Sequence, residues 1–311
     1  MTLSEKKHQP IKITPHLYQL GVKEFPAYLS MGELGMLIEG GTSATTDIIV
    51  RQIEMLGIDP SKISCLVLPH THADHVGAVP RIRELWPHMK IIAGEVGAKF
   101  LAKDSFIKGV LPADKHITDL LTERYGISKP PSQLDTYNFR ADEVVSEGDK
   151  IELGDGVVWE VYTAPGHSLD HISLIEKKES TLVVGDIAGY YEPDLDIFWP
   201  NYFAGLEAYC NSIRKLAVLP ANRALLGHNG IINNHVREHF KKALKATEVF
   251  HNELLSRSDS GEDKKEIAKE KAYWVYEFAP LAPLEGISFL NGLMVKTSLE
   301  ERAKELFFFP E

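Results

Sequence analysis

The segment "HTHADH" places three histidines and one aspartate, His70, His72, Asp74 and His75, within six residues, directly after the apolar run "LVLP". A buried imidazole or carboxylate costs free energy unless it is paired or bound to a ligand. Neutral imidazoles combined with carboxylates suit zinc, iron and manganese, whereas calcium and magnesium prefer shells made of oxygen alone. The segment therefore predicts a metal site at the end of a buried strand.

Three more candidate ligands each follow an apolar run that is typical of a strand. His167 comes after "VYTAPG", Asp186 after "TLVVG" and His228 after "RALLG". Ligands at strand ends are held by a rigid scaffold, as a preorganised metal site requires. A single histidine at such a place is more often a packing or surface residue. Seven metal-capable groups at strand ends, four of them in one motif, favour metal binding.

The elements that must position these residues alternate between strands and helices. Short apolar runs such as "ISCLVLP" and "KIIAG" indicate strands covered on both faces, and "DIIVRQIEMLG" has the apolar spacing of a helix. This alternation predicts an α/β layered fold. We predict one domain over residues 1–234, with a lid-like insertion at about 100–140 that holds the helical segment "DKHITDLLTERYG" and the proline-bearing loop "ISKPPSQLDTYNF".

Residues 235–311 predict a helical extension that packs against this domain. Three segments have helical character: "VREHFKKALKATEVFHNELLSR", "KKEIAKEKAYWVYEFA" and "SLEERAKELFFF". The first is amphipathic. Its His235 and His239 lie among Arg237 and Lys241, which indicates an exposed helix rather than a metal site.

The order of the motifs resembles the metallo-β-lactamase superfamily over roughly residues 17–233. The family signature, H-x-H-x-D-H followed by a distant G-H, a G-D and a further G-H, occurs here in the same order. The resemblance implies an αββα sandwich with two divalent metal ions per chain, zinc being favoured and iron or manganese being alternatives. It also implies the ligands of each metal: His70, His72 and His167 for the first, Asp74, His75 and His228 for the second, with Asp186 bridging the two.

Two further segments carry a finer resemblance. "LIEGG" has Glu39 where the family usually carries an aspartate, and the resemblance implies that Glu39 braces the H-x-H-x-D-H loop. "PGHSLDH" is similar to the thioesterase-like branch, as in glyoxalase II enzymes and the 2-aminobenzoylacetyl-CoA thioesterase of quinolone signalling. His171 would then orient a carboxylate or another ligand. A hydrogen-bonded histidine without a role at the metals is the alternative.

The implied reaction is attack of a metal-bridging hydroxide on a thioester of the acyl-CoA type or on a related ester, with Asp74 and Asp186 as the catalytic carboxylates. Tyr190 and Tyr191 follow Asp186 and either donate a hydrogen bond to the substrate carbonyl or pack at the rim of the site. The alternatives are a lactonase, a di-iron redox protein and a binding protein with a vestigial site. Di-iron redox members usually carry glutamate where this chain has His72, which favours hydrolysis.

Composition limits the partners. The 311 residues carry a formal net charge of −10, which does not favour nucleic-acid binding. The two cysteines cannot form a disulfide framework, the N-terminal segment has no apolar core of a secretory signal, and no apolar run is long enough to span a membrane. We therefore expect a cytoplasmic protein that binds a small acyl substrate, binds neither nucleic acid nor membrane, and could form a homodimer.

Overall fold

The computed structural model describes residues 8–125, 131–302 and 305–310. The chain divides into two compact units, the first comprising Met1–Tyr162 and Leu174–Glu179, the second Thr163–Ser173 and Ser180–Glu311. Two strands, β9 (Val157–Thr163) and β10 (Ile172–Glu176), each contain a boundary between the units. The division predicted at residue 234 stays a prediction.

The first unit is built on a seven-stranded mixed sheet in the order of the chain. Its strands are β1 (Ile11–Lys12), β2 (Leu17–Gly21), β3 (Pro26–Met31), β4 (Gly35–Ile38), β5 (Ile63–Leu68), β6 (Lys90–Gly94) and β7 (Glu143–Val145). The first four strands pair antiparallel, and β4 through β7 pair parallel. An antiparallel hairpin follows, formed by β8 (Lys150–Gly154) and β9.

Helices connect the parallel strands and cover their apolar side chains. They are α1 (Thr46–Met55), α2 (Ala73–Val76), α3 (Val79–Leu85), α4 (Glu95–Leu101) and α5 (Asp104–Tyr125). Ile53 of α1 and Ile82 of α3 join Leu37, Leu66 and Ile91 of the sheet in one buried core. The apolar runs that predicted strands are therefore the central strands of this sheet, as expected where helices pack on a parallel sheet.

The segment predicted as a lid-like insertion begins with a longer helix than the sequence pattern indicates. Helix α5 starts at Asp104, well before the predicted helical segment, which begins at Asp114, and it accommodates Pro112 within it. The loop predicted after it lies partly outside the described residues, since 126–130 are not described. Its function as a lid stays a prediction.

The second unit combines short strands with the four C-terminal helices. Its elements are β11 (Thr181–Gly185), β12 (Tyr190–Glu192), β13 (Ile197–Trp199), α6 (Leu206–Ala217), β14 (Arg223–Leu226), β15 (Ile231–Asn233), α7 (Val236–Asp259), α8 (Lys264–Tyr276) and α9 (Leu284–Glu300). Strand β11 pairs parallel with β14, which pairs antiparallel with β15, while β12 and β13 form a separate hairpin.

The C-terminal region is helical, as predicted, but two details differ. The helix predicted over residues 298–309 is wrong, because α9 ends at Glu300 and residues 305–307 form a turn. The sequence pattern does not predict helix α9 itself, since its apolar residues show no single stripe and it contains Gly286 and Gly292. Within the described ranges, no helix is both long and apolar enough to cross a membrane.

Candidate metal centre

In the first unit, the "HTHADH" segment begins two residues after β5 ends at Leu68. His70 and His72 lie in the connecting loop, and Asp74 and His75 lie on the one-turn helix α2. His70 Nε2 is 3.1 Å from His72 Nδ1, and His75 Nε2 is 3.3 Å from Asp74 Oδ2. Four potential metal-binding side chains of this unit therefore turn their donor atoms toward one another.

Glu39 holds His75 from the opposite side of its ring. The loop after β4 gives Glu39 a left-handed backbone, with φ at 73°. The Nδ1–H of His75 donates to Glu39 Oε2 at 2.7 Å, and the N–H of Gly40 donates to the carbonyl of His75 at 2.8 Å. Because Nδ1 carries the proton, His75 Nε2 presents a lone pair to Asp74.

In the second unit, two neighbouring parallel strands deliver Asp186 and His228. Asp186 follows β11 directly, and His228 follows β14 after one glycine. Parallel strands end at the same edge of a sheet, so the two side chains meet there. Asp186 Oδ2 lies 3.4 Å from His228 Nε2 and also 3.4 Å from His167 Nε2.

His167 reaches this edge from the loop after β9. Its Nδ1–H donates to the carbonyl of Asn201 at 3.0 Å, which leaves the Nε2 lone pair facing Asp186. The loop can approach helix α6 closely because Gly166 has no side chain. A Cβ at Gly166 would lie 2.2 Å from the Cα of Tyr209, and its φ of +135° disfavours other residues.

His171 contacts the backbone of Asp186. The N–H of Asp186 donates to His171 Nε2 at 3.1 Å, so this nitrogen acts as an acceptor. His171 is buried, and its ring is neutral with the proton on Nδ1 when that bond is made. This bond fixes the backbone of Asp186 at the end of strand β11, and the predicted role of His171 in orienting a ligand stays a prediction.

The donor atoms fit divalent metals in both chemistry and spacing. An imidazole lone pair opposite a carboxylate oxygen is repulsive unless a cation or a proton lies between them. Zinc binds histidine at about 2.0–2.1 Å, and two ligands of a tetrahedral ion are then about 3.3 Å apart. The four donor pairs of the two units are separated by 3.1, 3.3, 3.4 and 3.4 Å. Each unit therefore carries side chains that could hold a divalent metal.

The two tyrosines after Asp186 lie in different environments. Tyr190 is buried, and its ring packs 5.4 Å from His228 and 6.2 Å from Phe278 between ring centroids. The Tyr191 hydroxyl donates to Asp196 at 2.9 Å. Burial and this bond raise the pKa of Tyr191 to about 12, so its hydroxyl stays protonated near neutral pH.

His239 differs from the exposed histidine that the sequence indicated. It lies on the buried face of α7, against the rings of Tyr191 and Phe198. Burial is the main reason that the pKa of His239 falls to about 4. The spacing of His239 from Val236 and Phe240, both buried, is the signal that could have placed it on the buried stripe.

Three relatives illustrate what the chain is similar to. A metallo-beta-lactamase fold-containing protein, ST1585 of Sulfurisphaera tokodaii, is 26% identical over 243 residues, covering 75% of this chain and 85% of the relative. An atrochrysone carboxyl ACP thioesterase of Aspergillus fumigatus is 24% identical over 56% of this chain and 40% of its own length. The flavo-diiron protein FprA2 of Clostridium acetobutylicum is 26% identical over 61% and 41%. The chain thus spans less than half of the last two relatives.

Solved structures support the fold. The metallo-beta-lactamase family protein TTHA1429 from Thermus thermophilus superposes with a TM-score of 0.66 at 20% identity, covering 94% of this chain and 95% of that one. The family model of the metallo-beta-lactamase superfamily matches residues 32–228, which is more than half of the chain. The matched range includes the H-x-H-x-D-H segment, His167, Asp186 and His228. The chain belongs to the metallo-beta-lactamase superfamily.

Proposed function

We propose that the chain is a hydrolase that uses two divalent metal ions to cleave a thioester of the acyl-CoA type, or a related ester. The observation that carries the proposal is the spacing of the donor atoms within each unit, 3.1 to 3.4 Å, which matches the separation of two ligands on one tetrahedral metal ion. Metals bound there would lower the pKa of a water toward about 7 and polarise a carbonyl oxygen.

The ligands of the proposed centre follow the family pattern. By that pattern His70, His72 and His167 would hold one metal, Asp74, His75 and His228 would hold the other, and Asp186 would offer its carboxylate to both. Within each unit the hydrogen bonds described above keep the protons on Nδ1 of His75 and His167. The Nε2 atoms of both rings then carry a lone pair for a metal, so neither ring has to change its tautomer to bind one.

The thioester preference rests on sequence similarity and on the surroundings of His228. "PGHSLDH" is similar to the thioesterase-like branch, and one relative is named a thioesterase. The position of Tyr190, buried beside His228, supports the proposal that it contacts the substrate near its carbonyl. Tyr191 already donates its hydroxyl proton to Asp196, so Tyr190 is the better candidate of the two.

The test joins metal analysis to turnover on one purified sample. Zinc, iron and manganese are counted per chain, and acyl-CoA, acylglutathione and lactone substrates are assayed together. We expect about two metals per chain and thioester cleavage. Two irons without hydrolysis, but with a response to oxygen or nitric oxide, would support a redox protein like the flavo-diiron relative instead.

Asp186→Ala tests the assignment of the bridging ligand. We expect loss of at least one metal and of most turnover, because one carboxylate lies within 3.4 Å of two imidazoles. Asp194→Ala, which removes an exposed carboxylate eight residues later, is the matched control. Unchanged metal content with full turnover in Asp186→Ala would refute the assignment.

A further inference from the structure

The one-turn helix α2, which carries Asp74 and His75, has to be held in place by its neighbours. Four residues are too few for a helix to be stable in isolation. On one side, the loop after β4 contacts α2 and the residues that follow it. Gly40 N–H donates to the His75 carbonyl of α2 at 2.8 Å, and Ala78 N–H, two residues beyond α2, donates to the Gly41 carbonyl at 3.3 Å. The other side lies against helix α5.

Asp114 of α5 lies beside Gly77, the residue that follows α2. A Cβ added to Gly77 would lie 2.0 Å from Asp114 Oδ1, so the carboxylate occupies the space that a side chain at position 77 would need. The same oxygen accepts the N–H of Ser43 at 2.9 Å, and Ser43 Oγ donates to the carbonyl of Gly77 at 3.2 Å. Each of these three residues therefore contacts the other two.

The burial of Asp114 indicates a specific role. Its side chain is 6% exposed, and burial raises the pKa of its carboxyl, while the bonds from Ser43 act in the opposite direction. Placing a carboxylate in such surroundings is unfavourable unless it makes compensating contacts. Asp119, on the same helix, is an ordinary surface residue that pairs with Lys115 at 2.6 Å.

We propose that Asp114 is a positioning residue for the metal centre, which together with Ser43 fixes α2, and thereby Asp74 and His75, against helix α5. The inference rests on the proposed function in one respect, namely that the two α2 side chains bind metal. Residues that hold metal ligands in place commonly change metal affinity 10–100-fold when they are removed. Asp114 acts through Gly77 and Ser43, so we expect the lower end of that range.

The experiment compares Asp114→Ala, Asp114→Asn and the control Asp119→Ala. Zinc affinity is measured by competition with a chromophoric chelator, and the cobalt(II)-substituted proteins are compared by their visible absorption spectra. In Asp114→Ala we expect one of two metals to bind about tenfold more weakly, with a changed cobalt spectrum for that site. Asp114→Asn keeps an oxygen acceptor of the same size and should restore wild-type behaviour. Asp119→Ala should match the wild type.

Gly77→Ala tests the same contact from the other side. The added methyl group meets Asp114 Oδ1, so this variant should weaken the same metal. Combining it with Asp114→Ala removes the collision with the carboxylate and leaves only the approach of the new Cβ to the Ala73 carbonyl at 2.9 Å. The loss in the double variant should therefore be smaller than the two single losses together. Ser43 and Asp114 also line a cleft of about 740 Å³, so water can replace the truncated carboxylate and the variant should fold.

The outcomes separate this inference from the proposed function. A wild-type chain that binds no metal refutes the proposed function itself. A wild type with two metals, and an Asp114→Ala variant with the same affinities and cobalt spectrum, refutes the positioning role alone. Loss of both metals in Asp114→Ala, with a much lower melting temperature of the metal-free protein, would assign Asp114 to general stability and also overturn the positioning role.

Discussion

At the level of single residues, the hydrogen bonds on Nδ1 decide what each imidazole can do. His75 donates to Glu39, and His167 donates to the Asn201 carbonyl. Both rings are thereby held in the tautomer that leaves Nε2 available for a metal. The carboxylate of Glu39 adds a negative charge behind His75, which makes that imidazole a stronger donor toward a cation.

Glu39→Gln tests this contribution. The amide keeps an acceptor oxygen of the same size but removes the charge, so we expect metal affinity to fall about 10–100-fold while the fold is kept. Chelator competition measures the affinity. Glu95→Gln, at an exposed residue whose carboxylate accepts from Ser146, is the matched control. Equal affinities of Glu39→Gln and wild type would show that the charge of Glu39 contributes nothing.

The burial of His239 predicts how the free energy of unfolding changes at acid pH. Its pKa of about 4 in the folded state lies below its unfolded value of 6.5, because burial disfavours the charged ring. The unfolded chain therefore binds the extra proton first, and stability present above pH 6.5 is lost as the pH falls from 6.5 toward 4. Protonation of His239 accounts for up to about 3 kcal/mol of this decrease in the free energy of unfolding.

Urea unfolding of the chelator-treated protein between about pH 7 and pH 4 measures the effect. In His239→Phe the stability should fall less steeply over this window, since the phenyl ring cannot take up a proton. His88→Phe, which removes an exposed histidine of the first unit, is the matched control. Parallel curves for wild type and His239→Phe would contradict the prediction.

Sequence spacing could predict the metal-capable side chains but only some of the residues that hold them. The candidate ligands follow apolar strands, a pattern that is visible in the chain itself. The carbonyl of Asn201 leaves no side-chain signal, and Ser43 and Asp114 are 71 positions apart in sequence. Such contacts depend on tertiary packing, which a single sequence does not reveal.

At the level of elements, the strands with long apolar runs and the amphipathic helix α7 could be predicted from periodicity. Helix α9 could not, because it is apolar on several faces and uses polar residues for specific contacts. Asn291 is fully buried, accepts from Trp199 Nε1 at 3.3 Å and donates to the Ile287 carbonyl at 3.0 Å. Ser298 is hydrogen-bonded to Tyr202 at 2.9 Å. These bonds tie α9 to the segment around β13.

Asn291→Leu should destabilise the protein by about 1–3 kcal/mol, since the buried indole N–H of Trp199 loses the acceptor it has in the wild type. Urea unfolding measures the change. Lys296→Ala on the exposed side of the same helix is the control and should change stability by less than about 0.5 kcal/mol. Wild-type stability in Asn291→Leu would mean that the 3.3 Å contact contributes little.

At the level of the whole molecule, the proposed metals connect ligand binding to folding. The proposed ligands are spread along the sequence from His70 to His228, and the unfolded chain does not hold them together. Metal that binds only the folded state adds about 2.7 kcal/mol when its free concentration is one hundred times the dissociation constant. The imidazole and carboxylate lone pairs of the proposed ligands also repel one another when no metal is bound. We therefore expect the metal-free protein to be less stable than the metal-bound protein at neutral pH.

Thermal unfolding with zinc, and again after chelator treatment and dialysis, tests this coupling. We expect a lower melting temperature without metal, restored by adding zinc back. The Asp186→Ala variant should respond less to zinc, because it lacks the carboxylate that faces both His167 and His228. Identical melting temperatures with and without metal, in a sample shown to bind two zinc ions, would mean that the ligands are held equally well by the fold alone. The metals would then contribute to chemistry and not to stability.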